Sequence, residues 1–525
     1  MGRHATTERP MHPTLRRSLP LSLWPDARDA ALPADPPEGF RNILGAGAAP
    51  DCARWRGVGS MLETERMLEA LAFRLIRGPA REGGAGFPAG YAYFAQFVTH
   101  DLHFSTDPEF YPRRDVPHVP WRRRRLRLDS IYGEGPEDAP YLYGEGVGQL
   151  ADWRLRIGRF GPGPIPRLTV RPRAGCPADP RAPQCGVDER NDENPVVAQL
   201  AGLFMRLHNR ALDRLTAYGD PAERFAAARA VTEATFRRLV FDDLLPRLLR
   251  PDVRARYERE GALDEPFAAQ TDDMPVEFTH AVSRVGHALV RADYAVGRTV
   301  NDGHAVNVAY MLRHTVKRDP EAFRKGRLWR VDWPAFFGPE AQAADPFEPH
   351  VSVFFAEAPG LMPGDAAART RAHLVLRDLA RGMEGGVQTV TATAAGFARR
   401  LGREAGSARW LALNPLRRAG AMARWIGADA RLAPWRRALA LDPPLYLFTL
   451  VEAAAPAAAG GGDALRLGAL GSALFAEPLY AARALNGDAA AAARSDADGT
   501  VVFDGAPPRT MDALAALFSP ASSGG

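Results

Sequence analysis

Gln96 and His100 stand four residues apart in an otherwise apolar run, Tyr91 to Phe104, and on a helix that spacing puts both side chains on one face. A histidine titrates near neutrality, so it can both take and give a proton. Far downstream, His287 follows Arg284 by three residues in His280-Ala-Val-Ser-Arg284-Val-Gly-His287, and Arg190-Asn-Asp-Glu193 lies between the two histidines. A fixed guanidinium stabilises negative charge as a bond breaks, and a neutral imidazole is a common metal ligand. The set therefore suits proton-assisted bond cleavage beside a bound metal. A simpler reading takes His100 and His103 as a zinc or iron pair with Asp101 or Asp107 nearby, but it explains neither Arg190-x-x-Glu193 nor Arg284-x-x-His287.

The elements that must position these residues read as helices. Met61 to Arg77 carries apolar residues at helical spacing, and Gly83 to Gly90 breaks the chain before the helix that holds His100. Residues 106 to 190 are rich in Pro and Gly and read as loop, a length that suits a channel or lid. Val196 to Tyr218, Ala222 to Leu249, Pro275 to Arg291, Ala366 to Arg381, Gln388 to Arg400, Ala408 to Ile426 and Ala464 to Leu485 read as helix. Few segments alternate with period two, so the expected class is mainly α with little β. Residues 1–58 read as an extended arm. No linker, repeat or charge block divides the rest, so residues 59–525 are expected to form one large helical domain.

Composition narrows the function classes. The 525 residues are 46% hydrophobic, ample for a core. The net charge is +5 and the pI about 9.2, but nearly all the basic residues are arginine, Lys317 and Lys325 being the lysines, which reads as coding bias rather than a nucleic-acid surface. The dense cluster Arg122 to Arg127 reads as a solvated loop. The N-terminus has no apolar leader and no segment reaches the roughly 18 apolar residues of a membrane helix, so a soluble, cytoplasmic protein without a membrane span is expected. The three cysteines, Cys52, Cys176 and Cys185, are expected to be free thiols.

The motifs and their order resemble those of the animal haem peroxidase superfamily: Gln96-Phe-Val-Thr-His100-Asp101, then Arg190-Asn-Asp-Glu193 running into Leu207-His208-Asn209-Arg210, then Arg284-Val-Gly-His287, then Leu413-Asn414-Pro-Leu-Arg417. That resemblance implies a mainly helical peroxidase domain holding haem b, with hydrogen peroxide and a small aromatic donor or a halide as partners. It makes His100 the distal acid–base, Arg190 the distal arginine and Gln96 the residue beside the peroxide and halide pocket. His287 becomes the axial ligand to the haem iron, Asn414 its hydrogen-bond partner, and Arg284 and Arg417 the residues that meet the haem propionates. An amide partner would draw the imidazole toward imidazolate less than a carboxylate does.

Departures from the family pattern carry expectations of their own. Thr99 stands where enzymes with covalently bound haem have Asp, and Glu193 retains the second ester-forming position, which leaves one ester link or plain non-covalent haem. Asn194 in place of Met removes the sulfonium link. Asp101 holds the place of a calcium ligand, but its companion segment Arg125-Leu-Arg127-Leu-Asp129 is rich in arginine, which calcium tolerates badly; Asp129 is expected to pair with those arginines. The rival enzyme of the same superfamily, a fatty-acid dioxygenase of the cyclooxygenase type, has a tyrosine three residues before its proximal histidine. Here Arg284 fills that position. A haem-binding protein without catalysis is the remaining alternative, and it needs neither His100 nor Arg190.

Overall fold

A computed structural model describes residues 40–44, 61–77, 87–103, 125–168, 188–263, 273–297, 303–313, 330–356, 374–401, 410–459 and 464–518, apart from short gaps at 134, 138, 140–141, 145–152, 161–162, 385, 428 and 487–488. All three cysteines, Arg122 to Arg124, most of the 106–190 loop and most of the 1–58 arm lie outside them. The longer helices are α1 (Met61–Arg77), α2 (Gly90–Leu102), α3 (Pro195–Arg214), α4 (Pro221–Leu239), α5 (Pro251–Glu260), α6 (Leu374–Glu384), α7 (Val390–Leu401), α8 (Pro415–Gly427), α9 (Leu445–Ala458), α10 (Ala469–Ala484) and α11 (Ala489–Phe503). The strands are short: β1 (Phe40–Arg41), β2 (Ile157–Phe160), β3 (Gly163–Leu168), β4 (Met274–Pro275), β5 (Asp293–Tyr294) and β6 (Val306–Asn307). They pair only in twos, β1 with β4 in parallel and the other two pairs antiparallel. The fold is mainly α, as the lack of period-two patterning implies.

Helix α2 is the centre of the packing. Every residue in it is buried except Gln96. Phe94 and Phe97 meet Phe204 of α3 and Phe236 of α4, with ring centroids 5.5 to 6.4 Å apart in stacked and edge-on pairs. Truncating one such ring to alanine costs about 3–5 kcal/mol. Tyr91 fixes the other end of α2, donating to Asp243 at 2.7 Å from the π turn Val240–Leu244 that continues α4. A Cβ at Gly90 would come within 2.6 Å of the Phe336 carbonyl oxygen and the Phe337 ring, so only glycine lets α2 start there.

Caps and buried acids hold the remaining frame. Asn194 caps α3 by accepting from Val197 N at 2.8 Å, with Pro195 in the first turn. Glu277, fully buried, accepts from Asn42 Nδ2 and Ile43 N, both at 2.8 Å, and so ties residues 40–44 to the segment leading to His287. Burial nonetheless raises its carboxyl above the usual range. Glu452 of α9 accepts from Leu470 and Gly471 N at the start of α10, supplying an acceptor to amides that a helix leaves unpaired. Burial pushes it up to about 7.

Two expected helices are broken, each for a local reason. Pro275 to Arg291 is a short α-turn, Val276–Thr279, followed by a 3₁₀ helix, Val282–Leu289. The carbonyl of Thr279, which an α-helix would offer to a backbone amide, accepts instead from Ser283 Oγ at 3.3 Å and Arg284 Nε at 3.1 Å. Ala408 to Ile426 breaks at Asn414, whose ψ of 100° is the extended backbone favoured before proline. Among the described residues no single helix is long and apolar enough to cross a membrane.

Candidate active site

One cavity gathers most of the chemistry-bearing residues. Gln96, Thr99, His100 and His103 from the α2 segment, Arg190, Glu193 and Asn194 from the turn before α3, and Arg284 and His287 from the 3₁₀ helix all line it. Leu248, Val285, Leu289, Phe347, Phe355 and Phe475 supply apolar wall. Gln96 escapes burial within α2 because it faces this space.

The distal face is built from two adjacent pieces of chain. His100 Nδ1 meets Asn191 Oδ1 at 2.9 Å, so an amide oxygen holds the Nδ1–H tautomer and Nε2 carries the lone pair. Arg190 sits on the 3₁₀ turn Glu189–Asp192, whose cap Asp188 accepts from Arg190 N at 3.0 Å. The same carboxylate takes the guanidinium through Nε at 3.0 Å and Nη2 at 2.7 Å, and Nη2 also donates to the carbonyls of His100 and His103 at 3.0 and 2.7 Å. The arginine is thus clamped across the end of α2. Beside it, His103 is held neutral: burial and the neighbouring Arg190 and Arg284 drive its pKa well below the usual value, and its Nδ1 is buried without a partner.

The proximal face differs from the expected one. His287 Nδ1 meets Asp378 Oδ2 at 2.7 Å, and Arg284 Nη1 meets Asp378 Oδ1 at 3.1 Å. Residues three apart eclipse in a 3₁₀ helix, which is why Arg284 and His287 reach one carboxylate of α6. Burial raises the Asp378 carboxyl, but His287 and Arg284 outweigh it and hold the pKa below the usual carboxylate value. Asp378 is ionised, and its hydrogen bond places the His287 proton on Nδ1, leaving the lone pair on Nε2.

Asn414 is therefore not the partner of His287. It is exposed and caps α8, accepting from Arg417 N at 3.0 Å, and Arg417 is exposed as well. Neither lines the cavity; Arg381, one turn beyond Asp378 on α6, does. Sequence reasoning missed Asp378, Arg381, Asn191 and Asp188. Arg377-Asp378-Leu-Ala-Arg381 mirrors the three-residue spacing of Arg284-x-x-His287 and was the one available signal. His208 and Asn209 prove structural: His208 Nδ1 meets Tyr132 Oη at 3.1 Å, and Asn209 clamps the Leu155 backbone at 2.8 and 2.9 Å.

Residues 128–331, which include Arg190, Glu193, Arg284 and His287, match the family model for animal haem peroxidase. That stretch is an animal haem peroxidase domain. Similar solved structures include peroxidase A of Dictyostelium discoideum, 14% identical with a TM-score of 0.57 over 86% of this chain and 88% of that one. Fatty acid alpha-dioxygenases are similar too: that of Arabidopsis thaliana at 12% identity and TM-score 0.53 over 86% and 74%, and that of Oryza sativa at 14% and 0.52 over 86% and 78%. At such identities the likeness is one of fold. No curated protein matches the sequence.

The cavity fits the haem that the matched family implies. It has an imidazole from the 3₁₀ helix, a second imidazole from α2, apolar walls, Arg284 and Arg381 as donors for carboxylates, and a buried His103 Nδ1 without a partner. Calcium does not fit in the same way. Asp101 accepts from Leu128 N at 2.9 Å, and from Ser130 N and Oγ at 3.1 Å, so donors take up both oxygens where a cation would need them. Asp129 pairs with Arg229 of α4 at 3.0 Å. Among the described residues no cluster of three or more His, Cys, Asp or Glu is arranged to hold a metal ion.

Proposed function

We propose that the protein is a haem peroxidase that uses hydrogen peroxide to oxidise small aromatic donors or halides. The observation that carries this reading is the convergence of His100, Arg190 and His287 on one cavity from three separate elements. His287 would hold haem b through Nε2, with Arg284, Arg381 and His103 near its carboxylates. When bound, the haem supplies the iron and the electrons for O–O cleavage. His100 takes the proton from one peroxide oxygen at Nε2 and returns it to the leaving oxygen, and Arg190 stabilises the negative charge that builds there. Such acid–base work contributes about 10²–10⁴ in rate. Asp188 keeps the guanidinium in place through the cycle, so no reorganisation is needed as charge develops.

Glu193 lines the cavity and is the candidate for a single ester to the haem; Thr99, also lining it, offers no carboxylate at the other position. Acidified solvent should release all haem from Glu193→Gln, with any retained fraction confined to wild type exposed to peroxide. The reaction class is decided with the haem-loaded protein and an oxygen electrode. A peroxidase oxidises a phenolic donor only when peroxide is added and takes up no oxygen with linoleate. Rapid oxygen uptake with a lipid hydroperoxide product would assign the dioxygenase reaction instead; Tyr93, which lines the cavity, would then be the tyrosine to replace.

A further inference from the structure

Asp378 is fully buried, and its two carboxylate oxygens are divided between two residues one 3₁₀ turn apart: Oδ2 to His287 Nδ1 at 2.7 Å, Oδ1 to Arg284 Nη1 at 3.1 Å. A buried carboxylate persists only if it is paired and hydrogen-bonded, and Arg284 supplies the countercharge. We propose that Asp378 is the positioning residue of the proximal side. Its charge draws on the Nδ1 proton of His287, giving Nε2 imidazolate character toward the haem iron, and Arg284 sets how much of that charge His287 receives. The proposal rests on the haem-binding reading above.

The chemistry follows from the acceptor. A carboxylate forms a shorter and stronger hydrogen bond than an amide oxygen, so it raises the basicity of the ligating nitrogen and favours the ferric state. The amide partner implied by the resemblance would make the bound iron the stronger oxidant; Asp378 reverses that expectation. Arg284 competes for the same carboxylate, and weakening it leaves more negative charge facing His287. A purely structural ion pair, joining α6 to the 3₁₀ helix with His287 as a bystander, predicts no electronic effect at the iron.

The experiment uses haem-loaded protein and reads the ferric/ferrous reduction potential and the iron–histidine stretching frequency of the ferrous form. Asp378→Asn, close in shape, should raise the potential and lower the frequency, and Asp378→Glu should restore part of both. Arg284→Gln should move the frequency the opposite way, and that shift should vanish in the Asp378→Asn background, because the arginine acts through the carboxylate. Asp378→Asn with haem bound and both readouts at wild-type values would overturn the proposal. If that variant fails to fold, an unchanged frequency in Arg284→Gln overturns it. A wild-type chain that takes up no haem would strike the haem reading itself, a result distinct from either.

Discussion

Two of the histidines that line the cavity, His100 and His287, use the same ring nitrogen for opposite ends. His100 sets Nδ1 against the neutral amide oxygen of Asn191 at 2.9 Å, whereas His287 sets Nδ1 against the ionised carboxylate of Asp378 at 2.7 Å. A proton carrier must release what it takes, and a neutral acceptor fixes its tautomer without pinning a positive charge on the ring. An axial ligand gains from the opposite, since a negative acceptor strengthens its donor nitrogen. One imidazole is thus oriented and the other electronically loaded, and the partner's charge makes the difference.

The largest effect that tests this contrast is removal of the ligating ring. His287→Ala should lose haem or change to a weakly ligated absorption spectrum, whereas removing His100 should leave haem in place. Full haem retention with an unchanged axial-ligand signature in His287→Ala would take His287 out of the proximal role.

A subtler change gives the distal face the proximal chemistry. Asn191→Asp places a carboxylate on His100 Nδ1, which stabilises the imidazolium and raises its pKa relative to the parent. More of the histidine is then protonated at a given pH, so the acid limb of the peroxide reaction should move upward, by about one unit for each 1.4 kcal/mol of added stabilisation. A pH profile that superimposes on that of the parent would show that the partner's charge does not matter there.

The smallest expected effect falls on Asn414. As the N-cap of α8 it should cost about 1 kcal/mol of stability when replaced by alanine, seen as a lower midpoint of denaturant unfolding, with the haem spectrum unchanged. A shifted haem spectrum would return Asn414 to the proximal side.

The distal and proximal faces also differ in how far they were legible in the sequence. Gln96 and His100 sit on one helix, and Arg190 and Glu193 on one turn, so spacing along the chain already fixes which side chains meet. Asp378 reaches His287 from 91 residues away, through the packing of α6, which no periodicity reveals. An Asn-Pro motif in the expected order then drew attention to Asn414, where the proline explains the asparagine as a cap. The helices followed the same division. Met61–Arg77 has the bounds that its apolar spacing implies, whereas the helix expected around His287 became 3₁₀ because side chains compete for the carbonyl of Thr279. That change sets Arg284 and His287 in line on one carboxylate, and it could be seen only once the segment was folded.

The most direct measurement of the central claim is stopped-flow mixing of haem-loaded protein with one equivalent of hydrogen peroxide, comparing the parent with His100→Ala and Arg190→Ala. Both variants should keep their haem, yet the peroxide-driven change in the Soret band should slow by about 10² or more. Traces indistinguishable from the parent's would contradict the account, because His100 and Arg190 would then line the cavity without taking part in its chemistry.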